Sequence, residues 1–107
     1  MLSHSAAMAA PKLVSTDPPA GATVHTAPTT ISITFSDKID AKFSSIVVLD
    51  ERNQRVQEGA AAATSYGAKT MSIAVKPLTA GVYRVIWHLV AADGSKSKGK
   101  YEFTVAP

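Results

Sequence analysis

The stretch GVYRVIWHLV, residues 81–90, alternates between two kinds of side chain. One set, Tyr83, Val85, Trp87 and Leu89, is large and apolar, and the other set is Arg84, Ile86 and His88. Successive side chains of a β-strand point to opposite faces, so this period of two predicts a strand with one face in a core. The period of 3.6 residues that is typical of an amphipathic helix does not occur in the chain.

The same alternation recurs on both sides of this stretch. It is clear in TISITFS (30–36), TMSIAVK (70–76) and KYEFTVA (100–106). SIVVLD (45–50) is a continuous β-branched run, typical of a strand buried on both faces, whereas KLVSTD (12–17) and QRVQE (54–58) are weaker strands. Turn-forming segments such as DPPAGA, DERNQ and KPLTAG separate them. Seven short strands predict an all-β, seven-stranded antiparallel Greek-key β-sandwich.

One segment, EGAAAATSYG (58–67), is compatible with a poor strand, a loop or a single helical turn. The 107-residue chain fits one domain, residues 11–107. MLSHSAAMAA (1–10) is expected to be a flexible tail outside the fold. It contains the small-x-small pattern of a signal-peptidase site, Ala7-Met8-Ala9, without the apolar core that precedes such a site. We therefore interpret it as a signal-peptide remnant or as residues added for expression.

Composition argues against several classes of partner. The formal charge is +3, and no basic run is interleaved with aromatic residues, so we expect no nucleic-acid binding. No apolar stretch approaches the roughly 18 residues of a membrane helix, so we expect no membrane insertion. The absence of cysteine excludes disulfides and thiolate metal sites.

Catalytic frameworks are also missing. Hydrolysis by a nucleophile needs a base and an orienting group beside it, and no G-x-S-x-G elbow accompanies the serines and histidines. Asp50 and Glu51 are adjacent, so on a strand their carboxylates would point to opposite faces. The sequence predicts a binding protein rather than an enzyme.

Each candidate binding residue has a simple structural interpretation. His88 falls on the face opposite the core residues and reads as a half-exposed strand residue. Asp93 begins an Asp-Gly turn, where an aspartate commonly caps its own backbone. His25 lies in a connection, and His4 lies in the tail. Histidine and aspartate are nevertheless ligands for transition metals, so a metal site remains open.

The order of the segments is more specific than any one residue. PKLVSTDPPAGATV (11–24), ISITFSDKIDAKFSSIVVLD (31–50), KTMSIAVKPLTAGVYRVIWHLVAADG (69–94) and GKYEFTV (99–105) together resemble the CopC family of copper-resistance proteins. The resemblance covers nearly the whole predicted domain. It implies a cupredoxin-like (immunoglobulin-like) β-sandwich, secreted to the periplasm as a monomer. Such a protein binds copper and hands it over, for example to a membrane copper-transport protein.

The resemblance also implies a ligand set. The family's Cu(II) site combines a histidine at the mature N-terminus, an aspartate in a loop and a histidine two residues later. Asp93 stands at the aspartate position, but Ser95 stands at the position of the loop histidine. Ala10 stands at the N-terminal position and would offer only its α-amine, and only if cleavage followed Ala9. The amine must lose its proton to bind, so copper affinity would rise with pH.

Cu(II) is expected rather than Cu(I), because nitrogen and oxygen ligands suit Cu(II). The family's Met-rich Cu(I) loop corresponds to residues 50–69, which contain neither Met nor His. Three explanations compete for the missing ligands. The chain is a divergent member that lost the site, a variant from which histidines were removed, or a protein that binds copper differently. In the third case His4, which six residues separate from Pro11, reaches toward His88 and Asp93 at about 3.3 Å per extended residue.

Two functions follow from these alternatives. The first is a periplasmic copper-binding protein of the copper-resistance and copper-homeostasis type whose Cu(II) site is depleted, with His4, His88, Asp93 and the Ala10 amine as candidate ligands. The second is a CopC-like interaction module that carries no metal.

Overall fold

The structure is a computed structural model that describes residues 10–65 and 67–107. Apart from Ala10, the predicted tail therefore lies outside the described residues. The described part contains eight strands: β1 (Leu13–Asp17), β2 (Thr23–Val24), β3 (Thr30–Phe35), β4 (Ser45–Leu49), β5 (Gln57–Ala63), β6 (Thr70–Val75), β7 (Gly81–Val90) and β8 (Lys96–Val105). A 3₁₀ turn, Ala41–Phe43, precedes β4, and the Asp40 side chain caps it by accepting a hydrogen bond from the Lys42 backbone N–H.

The strands form two four-stranded sheets, as the sandwich prediction requires. The first sheet has the order β1-β3-β6-β5 and the second has the order β2-β8-β7-β4. Every pairing is antiparallel except that of β2 with β8, which is parallel and covers only Thr23 and Val24 opposite Thr104 and Val105. The prediction of an all-β sandwich is confirmed.

The core lies between the sheets and is built from the predicted inward faces. It contains Ile31, Ile33, Phe35, Ile46, Val48, Met71, Ile73, Val75, Tyr83, Val85, Trp87, Leu89, Tyr101, Phe103 and Val105, all buried. Phe35 contacts Trp87 edge to face, with 4.9 Å between ring centroids, and Tyr83 stacks on Phe103 at 5.5 Å. Burial of each large apolar side chain contributes about 1.5–3 kcal/mol to stability. The alternation in β3, β6, β7 and β8 is therefore correctly predicted.

β2 and β5 differ from the predicted strands. β2 was not predicted, because two residues are too short for any period to show. β5 lies over Gln57–Ala63 rather than 54–58, so the alanine-rich segment is a strand. Alanine has little β-propensity and gives no apolar alternation, and Gly59, with φ of 73°, interrupts the register with β6.

Two further expectations are corrected at β4 and β8. β4 is an edge strand, so only Ile46 and Val48 enter the core, whereas Val47 and Leu49 are half-buried on the outer face. β8 begins at Lys96 instead of Lys100, and its ten residues pair with all ten of β7. The added part, Lys96–Gly99, has no large apolar side chain, so its sequence resembles a loop.

Two polar atoms are buried in the core. Among the described residues, neither Trp87 Nε1 nor the Tyr101 hydroxyl has a hydrogen-bond partner of normal geometry. Burial raises the pKa of Tyr101 to about 12, an effect that the nearby Thr16 side chain partly offsets and the Asp17 carboxylate reinforces. The neutral phenol is therefore the form that the folded protein favours.

No helix in the described part of the chain has the length and apolar character needed to cross a bilayer.

Candidate metal site at the β7–β8 turn

The candidate site begins at the turn between β7 and β8. Val90 pairs with Lys96, and the Ala91 N–H donates to the Ser95 carbonyl at 2.8 Å, which closes the hairpin. Gly94 donates its N–H to the Ala91 carbonyl at 2.9 Å and has φ of 88°, a value that favours glycine. The connection between β7 and β8 is therefore a five-residue turn, Ala91–Ser95, at the end of a long two-stranded ribbon.

Asp93 is fully exposed at the tip of this turn. Its Oδ1 accepts one hydrogen bond from the Ser95 N–H at 2.9 Å and another from the Ser95 hydroxyl at 2.6 Å. These two bonds, the side-chain bond first, lower the pKa of Asp93 below its ordinary value, because they stabilise the carboxylate. The prediction that Asp93 caps its own turn is confirmed, and the carboxylate is charged at neutral pH.

The N-terminal segment reaches the same end of the sandwich through residues 36–38. The Ala92 N–H donates to the Lys38 carbonyl at 2.8 Å. The Ser36 N–H donates to the Lys12 carbonyl, and the Lys12 N–H donates to Ser36 Oγ, both at 2.8 Å. Two residues before Lys12, Ala10 is exposed beside the buried Pro11. The geometry thus brings Asp93 and the chain position of Ala10 to one end of the molecule, as the ligand set implied by the family resemblance requires.

A shallow depression of about 340 Å³ lies at this end. It is lined by Ser36, Asp37, Lys38, Lys69, Ala91, Ala92 and Asp93. Two carboxylates and two ammonium groups therefore border the same space. The lysines raise the electrostatic energy of a cation in it, whereas the carboxylates lower it.

The histidines are dispersed. His88 is exposed on the outer face of β7, paired laterally with Ser45 of β4 and Lys98 of β8. His25 is exposed between β2 and β3, and His4 lies outside the described residues. Within residues 10–65 and 67–107, no three His, Cys, Asp or Glu side chains are grouped closely enough to hold a metal ion. Met71, which the alternation predicted to face inward, is fully buried, and its thioether is enclosed by the core.

Some features of this region were missed in the sequence. The bond from the Ser95 hydroxyl to Asp93 depends on turn geometry, and the anchoring of Lys12 by Ser36 depends on a contact between residues distant in sequence. The exposed lysine row of β8 was also missed. Its signal was present in K-S-K-G-K, which has a period of two, but the absence of apolar residues obscured it.

Comparison with known proteins agrees with this architecture. The family model described as "CopC domain" matches residues 13–106, which is nearly all of the described chain. This chain belongs to the CopC family. Copper resistance protein C of Escherichia coli is 35% identical over 106 residues, which cover 92% of this chain and 83% of that protein. Protein YobA of E. coli strain K12 is 33% identical over 89 residues, 82% of this chain and 72% of that protein.

Solved structures of CopC proteins show the same fold. CopC from Methylosinus trichosporium OB3b superposes with a TM-score of 0.83 at 29% identity, covering 91% of this chain and 94% of that one. PcoC, a methionine-rich copper resistance protein from E. coli, superposes with a TM-score of 0.74 at 36% identity, covering 91% of this chain and 99% of that one. The resemblance drawn from the segment order is confirmed.

Proposed function

We propose that this CopC-family chain is a periplasmic copper-binding protein of the copper-resistance and homeostasis type, which binds Cu(II) weakly at the β7–β8 turn. The observation that carries the proposal is the exposed, ionised Asp93 carboxylate, held at the end of the sandwich where the Ala10–Lys12 segment is anchored. A carboxylate combined with nitrogen donors suits Cu(II), the most strongly bound divalent ion of its series.

The described residues supply only part of a tetragonal ligand set. Asp93 offers one carboxylate, and Ser95, whose hydroxyl is a poor copper ligand, already donates to it. The remaining nitrogen donors would come from His4, from the Ala10 α-amine if processing exposes it, or from His88. Lys98 beside His88 makes the histidine on β7 the less favourable of these donors, because its charge opposes a second cation. Ordering a tail around the ion costs conformational entropy, which is why we expect weak binding.

Cu(II) rather than Cu(I) is the proposed cargo. Cu(I) prefers soft thioether and thiolate ligands. Met71 is fully buried and the chain has no cysteine, so the described surface offers neither donor. A role in catalysis is not part of the proposal.

Electron paramagnetic resonance of the full chain with one equivalent of Cu(II) tests the proposal. We expect a tetragonal signal with nitrogen hyperfine structure at micromolar copper, weakened in His4→Ala. His25→Ala is the matched control, since His25 is exposed in a connection and belongs to no candidate ligand set. A spectrum of free aqueous copper, or equal losses in both variants, would reject a site at this turn.

The second candidate function is a CopC-like interaction module without metal, serving a partner such as a membrane copper-transport protein. One observation favours it: the Ser95 hydroxyl engages the carboxylate that copper would need, with Lys38 and Lys69 beside it. A ligand that binds only the folded state must raise the melting temperature. This alternative predicts no rise in melting temperature with copper, and a clear rise would exclude it.

A further inference from the structure

The outer edge of β8 is an unpaired strand edge. β2 pairs with β8 only at Thr104 and Val105, and the Gly21 N–H donates to the Glu102 carbonyl just before them. Among the residues that the structure describes, no strand pairs with this edge from Lys96 to Tyr101. An unpaired edge presents free backbone donors and acceptors to any extended chain.

The free groups of this edge belong to three lysines. Glu102, Thr104 and Ala106 use their outward carbonyl or N–H groups in hydrogen bonds to the segment 21–24. The β7–β8 register is regular over all ten pairs, so the even-numbered residues of β8 direct their backbone groups outward throughout. Lys96, Lys98 and Lys100 therefore present both the free N–H and C=O groups and the exposed ammonium groups.

The side chains divide cleanly between the two faces. Lys96, Lys98 and Lys100 are exposed on the outer face, at the two-residue spacing of an extended strand. The other face carries Ser97 and Gly99, which are half-buried and small. A strand added here would place its alternate side chains directly opposite the lysines, with Cβ atoms about 4.5–5.5 Å apart.

We propose that this edge, Lys96–Tyr101, binds an extended acidic segment of a protein partner by strand addition. The partner would carry Asp or Glu at alternate positions, opposite the three lysines, with small residues between them opposite Ser97 and Gly99. Backbone hydrogen bonds would supply affinity, and the charge spacing would supply specificity. This inference is independent of copper, although the edge begins one residue after the turn that carries Asp93.

Three other occupants fit this edge less well than an acidic strand does. A second copy paired through the same edge would set lysines opposite lysines, which is unfavourable. Residues 1–9, MLSHSAAMA, contain no acidic side chain to place against them. An anionic lipid surface could contact the ammonium groups but would leave the backbone groups of the edge unpaired.

Two capped peptides of equal composition test the charge spacing. The peptide TETETET has glutamates at alternate positions, and TTEEETT has the same residues with the glutamates contiguous. We expect TETETET to bind the full chain at sub-millimolar to millimolar concentration, with amide shifts in nitrogen–proton NMR spectra confined to β8 and its neighbours, and TTEEETT to bind clearly less.

Two variants at Lys98 separate charge from backbone pairing. Lys98→Gln removes one charge and is expected to lower the affinity for TETETET about two- to fivefold. Lys98→Pro removes the same charge and also the outward N–H, which takes no part in the β7–β8 ladder, so we expect about a further tenfold loss. Thermal melting checks that both variants remain folded.

The proposal is overturned if the two peptides bind equally, if TETETET does not bind at millimolar concentration, or if Lys98→Pro binds it as well as Lys98→Gln. Lysine-dependent binding to vesicles containing phosphatidylglycerol without binding of TETETET would assign the edge to a lipid surface instead. A dimer in sedimentation that Lys98→Pro abolishes and Lys98→Gln does not would assign the edge to a second copy.

Discussion

The Ser95 hydroxyl donates a hydrogen bond of 2.6 Å to Oδ1 of Asp93, and the Ser95 N–H donates to the same oxygen. In this CopC-family chain the serine therefore holds the turn and occupies Oδ1 of Asp93, the one acidic residue of the β7–β8 turn. A metal ion bound by Asp93 would therefore use Oδ2 or compete with Ser95 for Oδ1.

Replacement of Ser95 by histidine should strengthen copper binding. Ser95→His puts an imidazole two residues after Asp93, and nitrogen ligands bind Cu(II) far more strongly than a hydroxyl does. We expect at least a tenfold gain in Cu(II) affinity in competition titrations. The double variant with Asp93→Asn is the control and should lose much of the gain, whereas an unchanged affinity in Ser95→His would show that the turn is not a metal scaffold.

Removal of the Ser95 hydroxyl should alter the acid titration of Asp93. The folded pKa of Asp93 is lowered, so its contribution to stability is present above the unfolded pKa and is lost as pH falls through the folded pKa. In Ser95→Ala, the hydroxyl bond is lost and the pKa should rise toward 3.8, the value without these contacts. Carboxyl NMR titration measures the pKa of Asp93 directly in both proteins. An Asp93 pKa equal to that of the parent chain would contradict the assigned cause.

Gly99 is needed for the packing of Trp87. A Cβ at position 99 would lie 2.6 Å from Cζ2 of the Trp87 indole, which is closer than atoms in folded proteins approach. Gly99→Ala should therefore destabilise the fold by about 1–3 kcal/mol in urea unfolding, since the indole must shift within a filled core. Ser97→Ala, on the same strand and face, is the matched control and should change stability little. Equal stability of both variants would argue against this contact.

The Tyr101 phenol should limit stability in alkali. Its pKa is about 12 in the folded state against 10.0 ordinarily. The contribution of the neutral phenol to stability is therefore fully present below about pH 10 and is lost as the pH rises through about 12. Tyr101→Phe removes this loss and should leave stability at neutral pH unchanged or slightly higher, because the hydroxyl has no partner of normal geometry among the described residues.

Tyr83→Phe is the comparison for Tyr101. The Tyr83 hydroxyl donates to the Thr79 carbonyl at 2.6 Å, so its removal should cost about 1 kcal/mol at neutral pH. Urea unfolding at several pH values between 7 and 11 measures both variants. The same alkaline loss in Tyr101→Phe as in the parent chain would contradict the role given to Tyr101.

The sequence predicted the parts of the fold that depend on apolar alternation. β7 was predicted from its alternating apolar residues, and the structure buries all four of them: Tyr83, Val85, Trp87 and Leu89. β5 was misplaced because its alanines carry almost no signal for either face. The start of β8 was missed because Lys96–Gly99 is held as a strand by its pairing with β7 and not by its own burial.

The candidate site was predictable only in part. The capping role of Asp93 follows from local Asp-Gly chemistry and was foreseen. The contacts of Lys12 with Ser36, and of Ala92 with Lys38, join residues more than twenty positions apart, and no local pattern encodes them. The participation of His4, His88 and the Ala10 amine in copper binding stays a prediction.

The central claim is that the Asp93 carboxylate binds Cu(II), and the affinity of the full chain for copper before and after Asp93→Asn tests it most directly. Asp37→Asn is the matched control, because Asp37 borders the same depression. We predict micromolar Cu(II) binding by the parent chain, at least a tenfold loss in Asp93→Asn and little change in Asp37→Asn. Equal affinities of the parent chain and Asp93→Asn would contradict the claim.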